Sequence, residues 1–156
     1  MTVQAKLKVA PVRKSLQVSA SQAHAFEVFT AGFGRWWPNT HHTSAIEMKD
    51  AIIEPHLGGR WYEVGEDGSQ CDWGKVLAWE PPARLVLSWH LNGKFQYDTD
   101  VESEVEVHFI AENANVTRVE LEHRIVAPDA EIIRAGVDST GGWSLLLEMF
   151  AKEAAA

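Results

Sequence analysis

Two residues whose types suit acid–base chemistry sit among apolar neighbours. Glu63 follows Trp61 at strand spacing, and His123 alternates with Val119, Leu121 and Ile125 along a segment that reads as a strand. Alternation puts both on the face of the sheet that carries the aromatics. A buried unpaired charge costs on the order of several kcal/mol, so each group must find a partner, change protonation state or face a water-filled space. Two readings follow. As polar anchors of a ligand pocket, Glu63 and His123 could move a proton around a bound substrate. As structural groups, Glu63 lies near the sheet rim and His123 is a core histidine bonded to a backbone carbonyl.

The other reactive side chains carry less. His41-His42, with His56 further on, would need converging ligand directions to hold a metal, but adjacent histidines point different ways and no second pair has ligand spacing. No metal site is expected. Cys71 has neither a nearby histidine nor a Cys-x-x-Cys partner and reads as a buried apolar thiol. Gly141-Gly142 lacks the Gly-x-x-x-x-Gly-Lys pattern of a phosphate loop and suits the close approach of a helix to the sheet. No cofactor is expected. Trp36 and Trp37, consecutive on a short helix, are not expected to share one core. One of them is expected at a pocket mouth or a partner surface.

The elements that must position these groups are legible from periodicity and turn chemistry. Leu7 to Val18 reads as an opening strand bent or left at an edge by Pro11. Ser19 or Ser21 caps a helix bearing Ala25, Phe26, Val28 and Phe29, broken by Gly32 and Gly34. Phe33 to Trp37 reads as a second short helix stopped by Pro38, and Asn39 to Ser44 as polar loop. Six strands are predicted: Ile46 to Glu54, Gly59 to Gly65, Cys71 to Glu80, Arg84 to Leu91, Asp100 to Glu112 and Val116 to Ile125. Their links, including Pro55 to Gly58, Asp67-Gly68, Pro81-Pro82, Asn92-Gly93 and Asn113 to Asn115, are short enough to make neighbours antiparallel. A short helix follows Pro128-Asp129. A closing helix from near Ser139 carries Trp143, Leu146, Leu147 and Phe150 as one apolar stripe.

Every second residue from Asp98 to Glu106 is acidic, and Arg118, Glu120, Glu122 and Arg124 alternate on the next strand. This predicts a solvated outer face with opposite charges paired across the hairpin. Six of the seven tryptophans, Trp36, Trp37, Trp61, Trp73, Trp79 and Trp89, fall within one third of the chain. They predict a sheet with an aromatic inner face.

The 156 residues, 46% of them hydrophobic, suit a single domain over 1–156 with its core at about 12–150. A net charge of −8 argues against a nucleic-acid surface. No apolar run approaches the roughly 20 residues of a membrane helix, so no membrane insertion is expected. One cysteine and no secretion signal at the start favour the cytoplasm.

Taken as a set, Gly58-Gly59-x-Trp61, Asp67-Gly68, Gly74-x-Val76, Trp79-Glu80-Pro81-Pro82-x-Arg84-Leu85-Val86-Leu87-x-Trp89 and Gly142-Trp143-x-x-x-Leu147 resemble bacterial homologues of the activator of the heat-shock protein 90 ATPase. The Val28-Phe29 helix and His123 fit the same likeness, which runs from about Val12 to Phe150. The resemblance implies an α+β class protein with the START-like helix-grip fold, in which a curved antiparallel sheet wraps a long C-terminal helix around a cavity. It implies little about activity, because that superfamily includes lipid carriers, hormone receptors, polyketide cyclases and cochaperone domains.

Three functions are expected from these features. The first is binding of a hydrophobic or lipid-like small molecule in a cavity bounded by Trp37, Trp61, Glu63, Trp73, Trp89, Phe109, His123 and Trp143. The second is a cyclase- or hydrolase-like enzyme using Glu63 and His123. The third is a chaperone-interacting domain using an exposed Trp36 or Trp37 and the acidic face, with a chaperone as its partner.

Overall fold

A computed structural model describes residues 3–156; Met1 and Thr2 of the expected domain lie outside them. After a helical turn α1 (Val3–Lys6) come β1 (Val12–Val18), α2 (Gln22–Thr30) and α3 (Phe33–Trp36). Six strands follow: β2 (Met48–Ile53), β3 (Arg60–Gly65), β4 (Gln70–Glu80), β5 (Arg84–Trp89), β6 (Ser103–Asn113) and β7 (Val116–Arg124). The chain ends in α4 (Ala130–Val137) and α5 (Trp143–Ala155). All seven strands form one antiparallel sheet in the order β1-β7-β6-β5-β4-β3-β2. This is the helix-grip fold.

Several boundaries differ from expectation, each for a local reason. The opening strand starts at Val12 because Pro11 has no N–H to give the ladder. The strand expected from Asp100 starts at Ser103, since Asp98 accepts from the backbone of Asp100 and Val101 and makes a turn there. The closing helix starts at Trp143 and not near Ser139, whose hydroxyl donates to the Gly136 carbonyl and finishes α4. Cys71 is half-buried on β4, not enclosed.

The interior is aromatic. On α5, Trp143, Leu146, Leu147 and Phe150 are buried, and the Phe150 ring lies 5.2 Å from Phe29 and 5.5 Å from Trp36. Trp36 and Trp37 are both buried, 2% and 3% exposed, which overturns the expectation that one of them faces outward. Helical geometry forbids consecutive residues one direction, but α3 is a single turn that ends between them. Trp37 takes an extended ψ of 124° and turns back under the same core. Trp36 then donates to the Val28 carbonyl at 3.1 Å, while Trp37 stacks on Phe33 at 5.0 Å.

Close approach of β4 to β5 depends on Gly74. A Cβ there would lie 1.9 Å from the Ser88 carbonyl oxygen, so no larger residue fits without moving the strand. On β3, Trp61 and Glu63 point inward while Tyr62 faces out beneath the Arg60 guanidinium, 4.0 Å above its ring.

The outer face carries the predicted charge pairing. Arg124 bonds Glu104, Glu106 and Glu122, and Glu106 also accepts from Arg84 at 2.7 Å and contacts His108 at 2.7 Å. Glu106 and Glu122 stand directly opposite each other in the β6–β7 ladder, a repulsive pairing that the shared arginine offsets. Partial burial raises the Glu106 pKa, but the bonds from Arg84, Arg124 and His108 prevail and hold it at about 2, below its usual 4.5. A depressed carboxylate pKa contributes stability that is present above the unfolded value and lost as pH falls through the folded one. Unfolding free energy should therefore drop between pH 4.5 and about 2. Denaturant titrations across that range should show a shallower drop for Glu106→Gln than for the native chain.

Candidate functional site

One pocket of about 280 Å³ opens at an end of the sheet. Four parts of the chain form its walls. The β5–β6 connection gives Asn92, Gly93 and Phe95; α4 gives Ile132, Ile133 and Val137; α5 and the segment before it give Gly141, Gly142, Trp143 and Leu146; Trp37, His41 and Trp89 complete it. The lining is mostly apolar, with His41, Asn92 and Ser139 as its polar side chains.

Hydrogen bonds fix each wall. The His41 ring bonds the Gly141 carbonyl at 2.8 Å, which ties the loop after α3 to the segment before α5. Trp37 donates to the His41 carbonyl at 2.8 Å and Trp89 to the Leu91 carbonyl at 3.0 Å, so two lining indoles pin two lining loops. The Gly93 N–H donates to the Asp129 carboxylate at 2.9 Å and couples the β5–β6 connection to the start of α4.

Neither of the two polar residues singled out in the sequence lines this pocket. His123 is fully buried, its ring 4.7 Å from Trp89. Trp143 Nε1 donates to His123 Nδ1 at 3.0 Å. Indole only donates, so Nδ1 is the bare nitrogen and the proton sits on Nε2. Nε2 has no partner among the described residues. Burial, with a smaller contribution from the Arg124 charge, lowers the His123 pKa to about 3, so the ring is neutral at physiological pH.

Glu63, 1% exposed, is held elsewhere. Its carboxylate accepts from Trp73 Nε1 at 2.9 Å, from the Thr43 N–H and hydroxyl, and from the Ser44 N–H at 3.4 Å. The loop bearing Thr43 and Ser44 is thus anchored on β3. β4, β5 and β6 separate β3 from β7 in the sheet, and Glu63 and His123 have different partners.

Of the eight residues expected to bound a cavity, Trp37, Trp89 and Trp143 line the pocket. Trp61, Glu63, Trp73, Phe109 and His123 are absent from its lining and are packed in the core. Trp61 and Trp73 rings are 5.4 Å apart, and Phe109 lies 5.2 Å from Phe26 and 5.6 Å from Phe29. Phe95 and the apolar side of α4 line the pocket although no sequence feature pointed to them as lining. Ile133 and Val137 carry a signal only of an apolar helix side, since they recur at i, i+4 in the helix expected after Asp129. Phe95 carries none, because Asn92-Gly93 reads as a complete two-residue turn.

The histidines weighed as metal ligands are bonded to the chain. His42 Nδ1 lies 2.7 Å from the Ser44 carbonyl, His56 Nδ1 lies 3.1 Å from that of Leu57, and His41 is taken up by Gly141 and Thr40. No group of three or more metal-binding side chains occurs among the described residues.

The family model for Activator of Hsp90 ATPase homolog 1-like proteins matches residues 19–155. The chain belongs to this family. Two solved structures are similar to this family member over almost their whole length. One is an anthrahydroquino-gamma-pyrone synthase, Txn09, with 38% identity, a TM-score of 0.63, and coverage of 92% of this chain and 96% of that one. The other is CalC of Micromonospora echinospora, a self-sacrificing resistance protein, with 34% identity, a TM-score of 0.68, and coverage of 92% and 93%. Norcoclaurine synthase of Thalictrum flavum shares the fold alone, at 15% identity and a TM-score of 0.57 over 96% of this chain and 88% of that one. No curated protein is a significant match. Among the described residues no helix is long and apolar enough to cross a membrane.

Two outcomes follow from the buried polar pairs. Unfolded, His123 titrates near its ordinary 6.5, whereas folded it stays neutral down to about 3. The unfolded state then binds more protons in that window, so stability falls as pH drops below 6.5, by at most about 1.4 kcal/mol per pH unit. His123→Gln should flatten the slope between pH 6.5 and 4.5, a range above the Glu106 effect, in pH-dependent unfolding curves. Glu63→Ala strands the Trp73 indole N–H and the Thr43 donors and should lower stability by about 3 kcal/mol or more in denaturant melts. Glu63→Gln keeps an acceptor and should cost less.

Proposed function

We propose that this chain is a START-like binding domain that takes a small hydrophobic molecule with aromatic rings into the pocket between the β5–β6 connection, α4 and the start of α5. The observation that carries this reading is the composition of the walls: Trp37, Trp89, Phe95 and Trp143 give ring surfaces, and Ile133, Val137 and Leu146 close the remainder. A volume of about 280 Å³ suits a compact ligand. Similarity to a synthase whose name denotes a fused-ring aromatic product supports the same chemical class. Lipid-like ligands belong to the same proposal as competitors for the pocket. The cytoplasmic setting inferred from one cysteine goes with it.

Binding is favoured over acid–base catalysis by the state of Glu63. Its carboxylate is committed to Thr43, Ser44 and Trp73, and it does not line the pocket. The chaperone-partner reading rested on an exposed indole at position 36 or 37 together with the acidic face; both indoles are buried, which leaves only the acidic face to support it.

Titration with alizarin, a flat three-ring probe, tests the proposal. Bound alizarin should quench tryptophan fluorescence and shift the amide signals of Asn92 to Phe95, α4 and Trp143. Shifts confined to other regions, or no response at all from alizarin and from fatty acids, would sink it.

A further inference from the structure

The connection between β5 and β6 holds a residue in a conformation that its type disfavours. Leu91 bridges Tyr97, the Asn92 N–H donates to the Gln96 carbonyl at 2.9 Å, and the Phe95 N–H donates to the Asn92 carbonyl at 2.9 Å. Gly93, Lys94 and Phe95 therefore form a three-residue hairpin loop. Such loops place a turn first and a left-handed residue last, and glycine is the residue that adopts this geometry without cost. Phe95 occupies the left-handed place, with φ 58°. It is the one non-glycine residue with positive φ among those described. Gly93, the glycine the sequence offers for the turn, does not take it.

The loop is built to impose that conformation. Asn92 Oδ1 accepts from the backbone N–H groups of both Lys94 and Gln96, at 2.9 and 3.1 Å, and Gly93 is tied to Asp129. Bulky residues with positive φ persist only where surrounding bonds over-determine the backbone, and they concentrate at ligand sites. What the conformation achieves is the placement of a ring. Phe95 lies 6.1 Å from Trp89 and 6.4 Å from Trp73, tilted by 40° and 37°, and is half-buried in the pocket wall. Many ring pairs deeper in the core stand edge-on, at 60° or more, as Trp61 does to Trp73 and to Trp89. Phe95 is turned toward the parallel with the Trp89 and Trp73 indoles and lines the pocket beside Trp89.

From this we infer that Phe95 is a specificity-determining residue: a strained aromatic wall that selects flat, fused-ring ligands over flexible acyl chains. The inference rests on the proposed pocket and deepens it by naming the ligand class. A saturated chain gains no stacking from a ring wall and is indifferent to its tilt, whereas a planar ligand gains contact over its whole face.

Dissociation constants for alizarin and for dodecanoate, measured by tryptophan quenching on the native chain and on Phe95→Gly, Phe95→Ala and Phe95→Tyr, test it, together with melting temperatures. The native chain should prefer alizarin. Phe95→Gly and Phe95→Ala should each weaken alizarin binding by about tenfold while changing dodecanoate by less than about threefold, and Phe95→Tyr should retain the preference. Phe95→Gly should also melt above Phe95→Ala, because only glycine relieves the positive φ. If the native chain binds alizarin and the glycine and alanine variants bind it equally well, the pocket stands and this role for Phe95 falls. If the native chain binds neither probe, the pocket reading itself fails and takes this role with it. If Phe95→Ala melts above Phe95→Gly, the loop imposes no strain and the selection argument loses its basis.

Discussion

Each buried indole brings one N–H that can only donate, and the interior holds six such indoles. A buried N–H left unpaired costs about 1–3 kcal/mol, which makes the supply of acceptors a condition for assembling this core. Five of the six are met: Trp36 by Val28, Trp37 by His41, Trp73 by Glu63, Trp89 by Leu91 and Trp143 by His123. Trp61 Nε1 is the one without a partner among the described residues. Much of the architecture follows from where those acceptors sit. Two are carbonyls of loops, so the indoles hold the segments around His41 and Leu91 against the body of the domain. Two are side chains, and they account for the only carboxylate and the only imidazole that are buried among the described residues.

The polar groups inside therefore have a structural cause before any functional one. Glu63 is a shared acceptor that lets Trp73 lie buried while it holds the Thr43–Ser44 loop. His123 accepts from Trp143, and that bond fixes its tautomer. The outer face uses the opposite solution. There water and arginine share the work, with Arg124 placed among Glu104, Glu106 and Glu122 so that one guanidinium offsets several like charges along two strands. The two faces of β6 and β7 differ because alternation sends each residue to a different solvent.

That alternation is also why so much was legible in the sequence. Val105, Val107 and Phe109 inward and Glu104 and Glu106 outward are a period-2 pattern that needs no tertiary information. The stripe of Trp143, Leu146, Leu147 and Phe150 is likewise local. The landmark residues from Gly58 to Trp89 carried the family likeness, and with it the helix-grip fold. What was not legible depends on bonds between residues distant in sequence or on backbone conformation. Trp37 and Trp36 both reach the core because α3 stops after one turn. The partners of Glu63 come from a loop 19 and 20 residues before it and, in Trp73, from the neighbouring strand β4. Phe95 reads as an ordinary loop residue until its φ is known.

The same packing decides where a ligand can go. A helix-grip sheet is expected to leave its space between the sheet and the long helix, but here Phe33, Trp61 and Trp73 fill the middle in ring-to-ring contact, and Phe109 packs on Phe29. The pocket lined by aromatic rings lies beyond that filling, at the end bounded by the β5–β6 connection and the break between α4 and α5. The break itself is tight: a Cβ on Gly142 would lie 2.1 Å from the Val137 carbonyl oxygen, so α5 can start beside the end of α4 only because that residue is glycine. Trp143, placed by that start, then serves two environments. Its ring forms pocket wall and its N–H is spent on His123 in the core. A ligand at the proposed site would meet aromatic surface whose donors are already engaged, so shape and ring contact would select it more than hydrogen bonding.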